Sequence, residues 1–192
     1  HLLQDQIKVF SDAGYNVQFK VLNASDYGVA QERKRIFIVG IRSDYGLEFQ
    51  FPEPTHGIGL IPKTSIREAL NNMPLWPSES EYYNYDFHWY YMSRNRKRGW
   101  DETSRTMVSS ARHMLLHPVS PDMVKVGTDQ WEFLTSEPAR RFTYKEAARL
   151  QGFGDLIFPR EQEVNLENKY KVVENAVPPP LFEVVVVQHS PP

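Results

Sequence analysis

Residues 14–42 read GYNVQFKVLNASDYGVAQERKRIFIVGIR. Within this stretch, 16–22 (NVQFKVL) alternate apolar and polar side chains, the period of a half-buried strand. Asn23 to Gly28 is turn chemistry. Residues 35–41 are apolar on both faces, which predicts a strand in the interior of a covered sheet. Upstream, 2–13 (LLQDQIKVFSDA) space Leu2, Leu3, Ile7, Val9 and Phe10 at roughly helical intervals, and Gly14 is placed as a stop. Helix, strand, loop, strand is a fragment of an α/β layer arrangement. The stretch also poses a chemical question. A chain of formal charge −2 sets Gln31, Arg33 and Arg35 directly before Ile36-Phe37-Ile38-Val39. Either these are the solvated flank of a strand edge, or the strand delivers them to an anionic ligand.

Working outward, 192 residues make one large domain or two small ones, and 41% hydrophobic with 13% aromatic residues is enough for a core. No apolar run approaches the ~20 residues that span a bilayer. The start, HLLQDQIKVF, lacks the charged, apolar and small-residue zones of a signal peptide. The expectation is a soluble intracellular protein with no membrane partner. There is no cysteine in the chain. That excludes disulfides, thiolate-bound zinc and a thiol nucleophile supplied by this chain. His56, His88, His113 and His117 match no zinc spacing, so no metal site is predicted and packing or hydrogen bonding is expected of them. No G-x-S-x-G elbow and no glycine-rich phosphate loop is present.

Prolines 52, 54, 62, 74 and 77 predict a loop-rich middle, and no period is sustained from about 43 to 135. Residues 64–71 (TSIREALN) are a short helix candidate. The aromatic tract 82–91 (YYNYDFHWYY) is expected to form a satellite core. In 140–155 (RRFTYKEAARLQGFGD), Thr143 and Glu146 have capping-box spacing, and Gly152 or Gly154 would end the helix. In 175–188 (NAVPPPLFEVVVVQ), prolines suit a first helical turn and valines suit a strand, so local rules leave it open. The densest cationic stretch is 93–113, SRNRKRGWDETSRTMVSSARH. Its Arg94, Arg96, Arg98, Arg105 and Arg112 offer planar forks that match phosphate or the O6/N7 edge of guanine. A solvated basic face is the plain alternative.

Three blocks, in this order, resemble the C-terminal half of bacterial DNA cytosine-5 methyltransferases. Residues 14–42 resemble the family's Q-x-R-x-R block, with Ala30 in place of its leading proline. Residues 140–155 are similar to R-x-x-T-x-x-E-x-x-R-x-Q-G-F, with Gly154 in place of proline. Residues 174–183 (ENAVPPPLFE) are similar to G-N-A-V-P, with Glu174 in place of glycine. The stretch YMSRNRKRGWDETSRTMVSSARHMLLHPVSPDM is particularly like the recognition region of enzymes acting on GGCC-type sites.

The resemblance implies an α/β fold: the end of an S-adenosylmethionine-dependent methyltransferase sheet plus a small, loop-rich target-recognition domain. It divides the chain into 1–42 (catalytic α/β domain), 43–160 (target recognition) and 161–192 (a closing segment, helical in the family). It implies that Arg35 hydrogen-bonds a cytosine flipped from double-stranded DNA, while Arg33 and Gln31 organise the pocket. Arg94, Arg96, Arg98 and Arg112 would read guanine edges or phosphates, with Arg105 on the backbone. Asn175, Ala176 and Val177 would approach the cofactor, S-adenosylmethionine, through backbone contacts, and Glu174 would crowd that ligand unless it points away. Arg149 is expected to be structural. The family's cysteine nucleophile, its E-N-V glutamate and its cofactor loop lie upstream of the first matching block. A second polypeptide carrying those motifs is therefore expected, burying the faces of 2–41 and 176–188, in a DNA-associated bacterial cytoplasmic enzyme of a restriction-modification system; the residues fit a natural small subunit and a fragment of a longer enzyme equally. A DNA-binding module without catalysis is the competing reading.

Overall fold

The computed structural model describes residues 2–160 and 163–187. Helix α1 (Leu2–Asp12) leads into an antiparallel pair, β1 (Tyr15–Asn23) and β2 (Lys34–Arg42). Phe19 faces Ile38, Val21 faces Ile36, and Leu22 faces Arg35. A 3₁₀ turn over Ala24–Tyr27 joins the strands and ends at Gly28, whose φ of 83° suits a residue without Cβ. Asn23 fixes the return: its side-chain oxygen accepts the Arg33 N–H at 2.9 Å.

The interior position expected for β2 is corrected here. Its residues alternate between half-buried and exposed. Phe37, Val39 and Ile41 pack toward Leu22, Tyr27, Phe49, Leu181 and Val185. Ile36 and Ile38 on the other face are 48% and 40% exposed, and Phe19 and Val21 of β1 reach 50% and 59%. Both faces are apolar in sequence, but this chain covers only one.

The main core lies elsewhere. It joins Ala30, Ile66 of the short α2 (Ile66–Ala69) and Leu70 that caps it, Met107, Met114, and the packed faces of α3 (Tyr144–Leu150) and α4 (Leu166–Asn175). Local rules explain α3 well. Thr143 accepts from the Glu146 N–H at 3.0 Å, and Glu146 accepts from the Thr143 N–H at 2.8 Å. The same box, Ser65 with Glu68, opens α2. Gln151 closes α3 and Gly152 follows at φ 91°. Helix α4, capped by Asn165, was not anticipated from the sequence.

Residues Pro179–Val187 form helix α5, so the proline signal prevails over valine propensity; Gln188 lies outside the described residues. Prolines in a first turn forfeit no intrahelical bond, and Leu181 and Val185, four apart, both reach the β-pair core. In the middle region a hairpin, β3 (Met123–Gly127) and β4 (Gln130–Phe133), interrupts what the sequence presents as loop. Asp129, at φ 50°, makes its turn. Trp131 and Phe133 pack with Phe87 against buried Tyr91, Leu116 and Met123, the satellite core expected of the aromatic tract.

Candidate functional site

The strand β2 begins just after a polar, buried corner. Gln31 is fully buried, and neither its amide oxygen nor its amide nitrogen has a hydrogen-bond partner among the described residues. The backbone on either side is fixed: the Ser104 N–H donates to the Ala30 carbonyl at 3.0 Å, and the Glu32 N–H to the Ser104 carbonyl at 2.7 Å. That bridge ties the β-pair to the arginine-rich region. Arg33 is 1% exposed. Its Nη2 donates to the Glu174 and Ala176 carbonyls at the C-terminal end of α4, while Nε and Nη1 lack hydrogen-bond partners among the described residues. Burial, then the neighbouring Arg35, lower its pKa to about 10, against the pull of Glu174. It still carries its charge at neutral pH. The solvated flank of a strand edge, the plain alternative, does not describe Arg33.

Arg35 emerges from the corner with its side chain 37% exposed. Its Nη1 donates to the Lys34 carbonyl at 2.8 Å. The Glu174 carboxylate stands 3.9 Å from both Arg33 Nη1 and Arg35 Nη2. Glu174 thus faces the arginines. Buried polar groups are normally paired, so an unpaired glutamine and two unpaired guanidinium nitrogens in one corner mark a place built for a further acceptor or donor.

The turn after α3 holds the opposite wall. Gln151 donates to the Val173 and Ala176 carbonyls at 2.7 and 2.8 Å. Gly152 lies so close to Pro180 that a Cβ there would stand 2.7 Å from its Cδ. The Q-G pair therefore clamps the end of α4 to the start of α5. Asn175 and Val177 stay exposed on that clamped segment, whereas the Ala176 carbonyl is spent inward on Arg33 and Gln151.

The arginines of 93–113 divide by environment. Arg94 is exposed, its guanidinium carbon 5.9 Å from the Tyr90 ring centre. Arg112 is exposed and donates to His88 Nε2 at 2.9 Å. Arg105 is exposed, with one donation to the Asn95 carbonyl at 3.0 Å. Arg98 is half-buried between Glu102 (2.6 Å) and Glu32 (3.4 Å). Arg96 departs from the expectation of a free fork. It is 7% exposed, with Nε donating to the Tyr91 carbonyl at 3.1 Å, and burial lowers its pKa. Arg149 is ion-paired with Asp155, which is itself exposed.

Sequence reading missed several contributors. Trp89 and Tyr85, expected in the satellite core, are 81% and 71% exposed. Trp89 meets Tyr90 edge-on at 5.7 Å, so an aromatic ledge adjoins Arg94. Arg140 and Arg141 are buried props. Arg140 makes a two-pronged pair with Glu146 at 2.9 and 2.8 Å. Arg141 donates to the Tyr83, Tyr85 and Arg112 carbonyls and lies 4.3 Å from the Phe87 ring centre, fixing the tract that carries the ledge. His117 lies 3.5 Å from Glu146, yet burial and then Arg140 push its pKa down to about 2. The ring is neutral, accepting at Nδ1 from the Val119 N–H, so the contact is no ion pair.

A family model described as C-5 cytosine-specific DNA methylase matches residues 1–190. The chain is 42% identical over 195 residues to the type II methyltransferase M.MthTI of Methanothermobacter thermautotrophicus, covering 92% of this chain and 57% of that protein. It is 41% identical over 195 residues to the type II methyltransferase M.BsuRI of Bacillus subtilis, covering 96% and 44%. The chain spans about half the length of the curated relatives it matches. The solved Entamoeba histolytica methyltransferase EhMeth superposes with TM-score 0.66 at 16% identity, over 98% of this chain and 59% of that one. The S. pombe Dnmt2 methyltransferase gives 0.64 at 13% identity, over 97% and 60%. At these identities the likeness to solved structures is one of fold.

Proposed function

The chain belongs to the C-5 cytosine-specific DNA methylase family, and on that premise we propose that it is the DNA-recognition and base-pocket portion of a site-specific cytosine-5 methyltransferase of a restriction-modification system. The observation that carries the reading is the buried corner of Gln31 and Arg33, with polar atoms left unpaired, opening onto Arg35. A module that only gripped duplex DNA would have no use for unpaired donors held under its surface. A cytosine turned out of the duplex presents a carbonyl acceptor and an exocyclic donor, which suit an arginine fork and a carboxamide. Arg35, at the mouth, hydrogen-bonds the base. Arg33 holds the end of α4, and with Gln31 it organises the pocket wall.

Arg94, Arg98, Arg105 and Arg112 meet the duplex, on a GGCC-type site. Arg94 and Arg112 do so from exposed positions beside the Trp89 ledge, while Arg96, buried, braces the root of the same loop. Attack at cytosine C6 needs a thiolate. This chain has no cysteine. The nucleophile and most of the cofactor site come from a polypeptide carrying the family's N-terminal motifs, which also covers the exposed faces of Ile36, Ile38, Phe19 and Val21. S-adenosylmethionine supplies the methyl group when bound. Asn175 and Val177, on a segment clamped by Gln151 and Gly152, fit a rigid backbone edge beside it. Among the described residues no helix is long and apolar enough to cross a membrane, in keeping with a DNA-associated enzyme in the bacterial cytoplasm.

A second reading, a DNA-binding module without catalysis, draws on one observation: Glu174 faces the arginine meant for the base. Methyl transfer from labelled S-adenosylmethionine to GGCC-containing duplex separates the two. The split-enzyme reading predicts transfer when this chain is mixed with a polypeptide carrying the missing motifs, and none from either alone. Salt-sensitive duplex binding with no transfer in the mixture would establish the second reading. Transfer by this chain alone would contradict both.

A further inference from the structure

We propose that Glu174 is a built-in competitor for the base-pocket arginine: its carboxylate occupies Arg35, and a phosphodiester or base carbonyl oxygen displaces it on binding. The inference rests on the DNA-recognition reading above and adds a control element to that site.

Glu174 sits in the last turn of α4. The end of a helix carries partial negative charge, so a carboxylate there is unfavourable unless cations offset it. Two do so: Arg33 Nη1 and Arg35 Nη2 each lie 3.9 Å from the same carboxylate oxygen. The two contacts differ in what else holds the arginine. Arg33 is anchored independently by the Glu174 and Ala176 carbonyls and is fully enclosed. Arg35 has one other bond, to the Lys34 carbonyl, and a side chain 37% exposed. A separation of 3.9 Å is an ion pair without a direct hydrogen bond, the weaker form of contact. An incoming acceptor able to reach hydrogen-bonding distance of Arg35 therefore outbids Glu174, while Arg33 keeps its anchor and its counter-ion. The carboxylate sets a threshold: weak or misplaced acceptors find the fork already neutralised.

The test uses Glu174→Gln, near-isosteric and uncharged, with Arg35→Gln and the double variant, each checked for folding by circular dichroism. Duplex affinity is read by fluorescence anisotropy. Glu174→Gln should bind tighter, by up to about five-fold, the ceiling for a solvent-facing ion pair, and the gain should vanish in the Arg35→Gln background. Unchanged or weaker binding by folded Glu174→Gln would overturn the proposal. A second readout does not involve DNA: inorganic phosphate titrated against the Arg35 side-chain Nε–H resonance. Half-saturation should fall to lower phosphate in Glu174→Gln, and coincident curves would again overturn the proposal. If no variant binds duplex while the phosphate curves still separate, the competitor stands and the DNA reading fails.

Discussion

Arg33 and Arg140 are equally enclosed, each 1% exposed, yet they sit in opposite electrostatic settings. Arg140 spends every nitrogen: Nε on the Leu75 carbonyl at 2.8 Å, and both Nη on Glu146 at 2.9 and 2.8 Å. Glu146 in turn caps α3 through the Thr143 N–H. Arg33 leaves Nε and Nη1 unbonded, beside a Gln31 with no partner, and shares a carboxylate 3.9 Å away. A buried charge is costly unless paired. Arg141, a prop whose Nη2 also lacks a hydrogen-bond partner, shows that one open nitrogen is not enough to mark a site; what sets the Arg33 corner apart is two open guanidinium nitrogens beside a glutamine with no partner at all among the described residues. The contrast tells apart two kinds of arginine that sequence alone presents alike.

The largest expected effect breaks the satisfied side. Glu146→Ala strands Arg140 and removes half of the capping box. It should cost about 3–5 kcal/mol in urea unfolding, as removal of one partner of a buried pair does. Conserved stability in that variant would mean Arg140 is not held as described. Next, Gly152→Ala adds a methyl 2.7 Å from Pro180 at a φ of 91°, and should destabilise by about 1–3 kcal/mol. Thr143→Ala, which loses one cap bond, should cost about 1 kcal/mol.

The His117 ring sharpens the same side through pH. Its folded pKa of about 2 lies below the ordinary 6.5, so the unfolded chain binds the proton first. The neutral ring's contribution is complete above about pH 6.5 and is lost progressively as pH falls toward 2. The slope from this residue is at most about 1.4 kcal/mol per pH unit. A chemical-denaturation series between pH 7 and 5 should be steeper for the wild type than for His117→Gln. Parallel profiles would show that the ring takes up its proton in the fold as readily as in the unfolded chain. The smallest stability effects belong to the exposed arginines. Arg94→Ala should stay within about 0.5 kcal/mol of wild type in unfolding. In duplex binding it should cost about 1–3 kcal/mol on the matched site if it reads a base, or lower the salt slope by about one if it contacts a phosphate. Arg96→Ala, by contrast, should lose both stability and binding, because its donors hold the loop.

The sequence carried the parts of this picture that are local. Thr143 and Glu146 announce their helix because the capping bonds span three residues, and residues 16–22 announce a strand by their period. What it withheld depends on partners distant along the chain. The apolar outer face of Ile36 and Ile38 looks like core in sequence, because nothing local says which side is covered. The β3–β4 hairpin was lost in the short alternation MVKVG, whose turn relies on Asp129 in a left-handed conformation. Prolines overruled the valines of 184–187 once Leu181 and Val185 had a core to reach. Arg140 and Arg141 look like surface charge in any linear reading, and only their carbonyl and carboxylate partners, many residues away, show them as props. Gln31, Arg33 and Arg35 stood out by their pattern, but the unpaired state of the first two is visible only in three dimensions.

The most direct test of that contrast is Gln31→Leu, assayed for urea midpoint and, in the mixture with the completing polypeptide, for methyl transfer to GGCC duplex. An amide that bonds nothing in the fold loses little when replaced by an apolar group of similar size. The midpoint should therefore hold or rise, while methyl transfer falls by at least about ten-fold, the equivalent of one hydrogen bond lost from the pocket that positions Arg35 and the base. A lowered midpoint with transfer intact would contradict the account and make Gln31 one more prop.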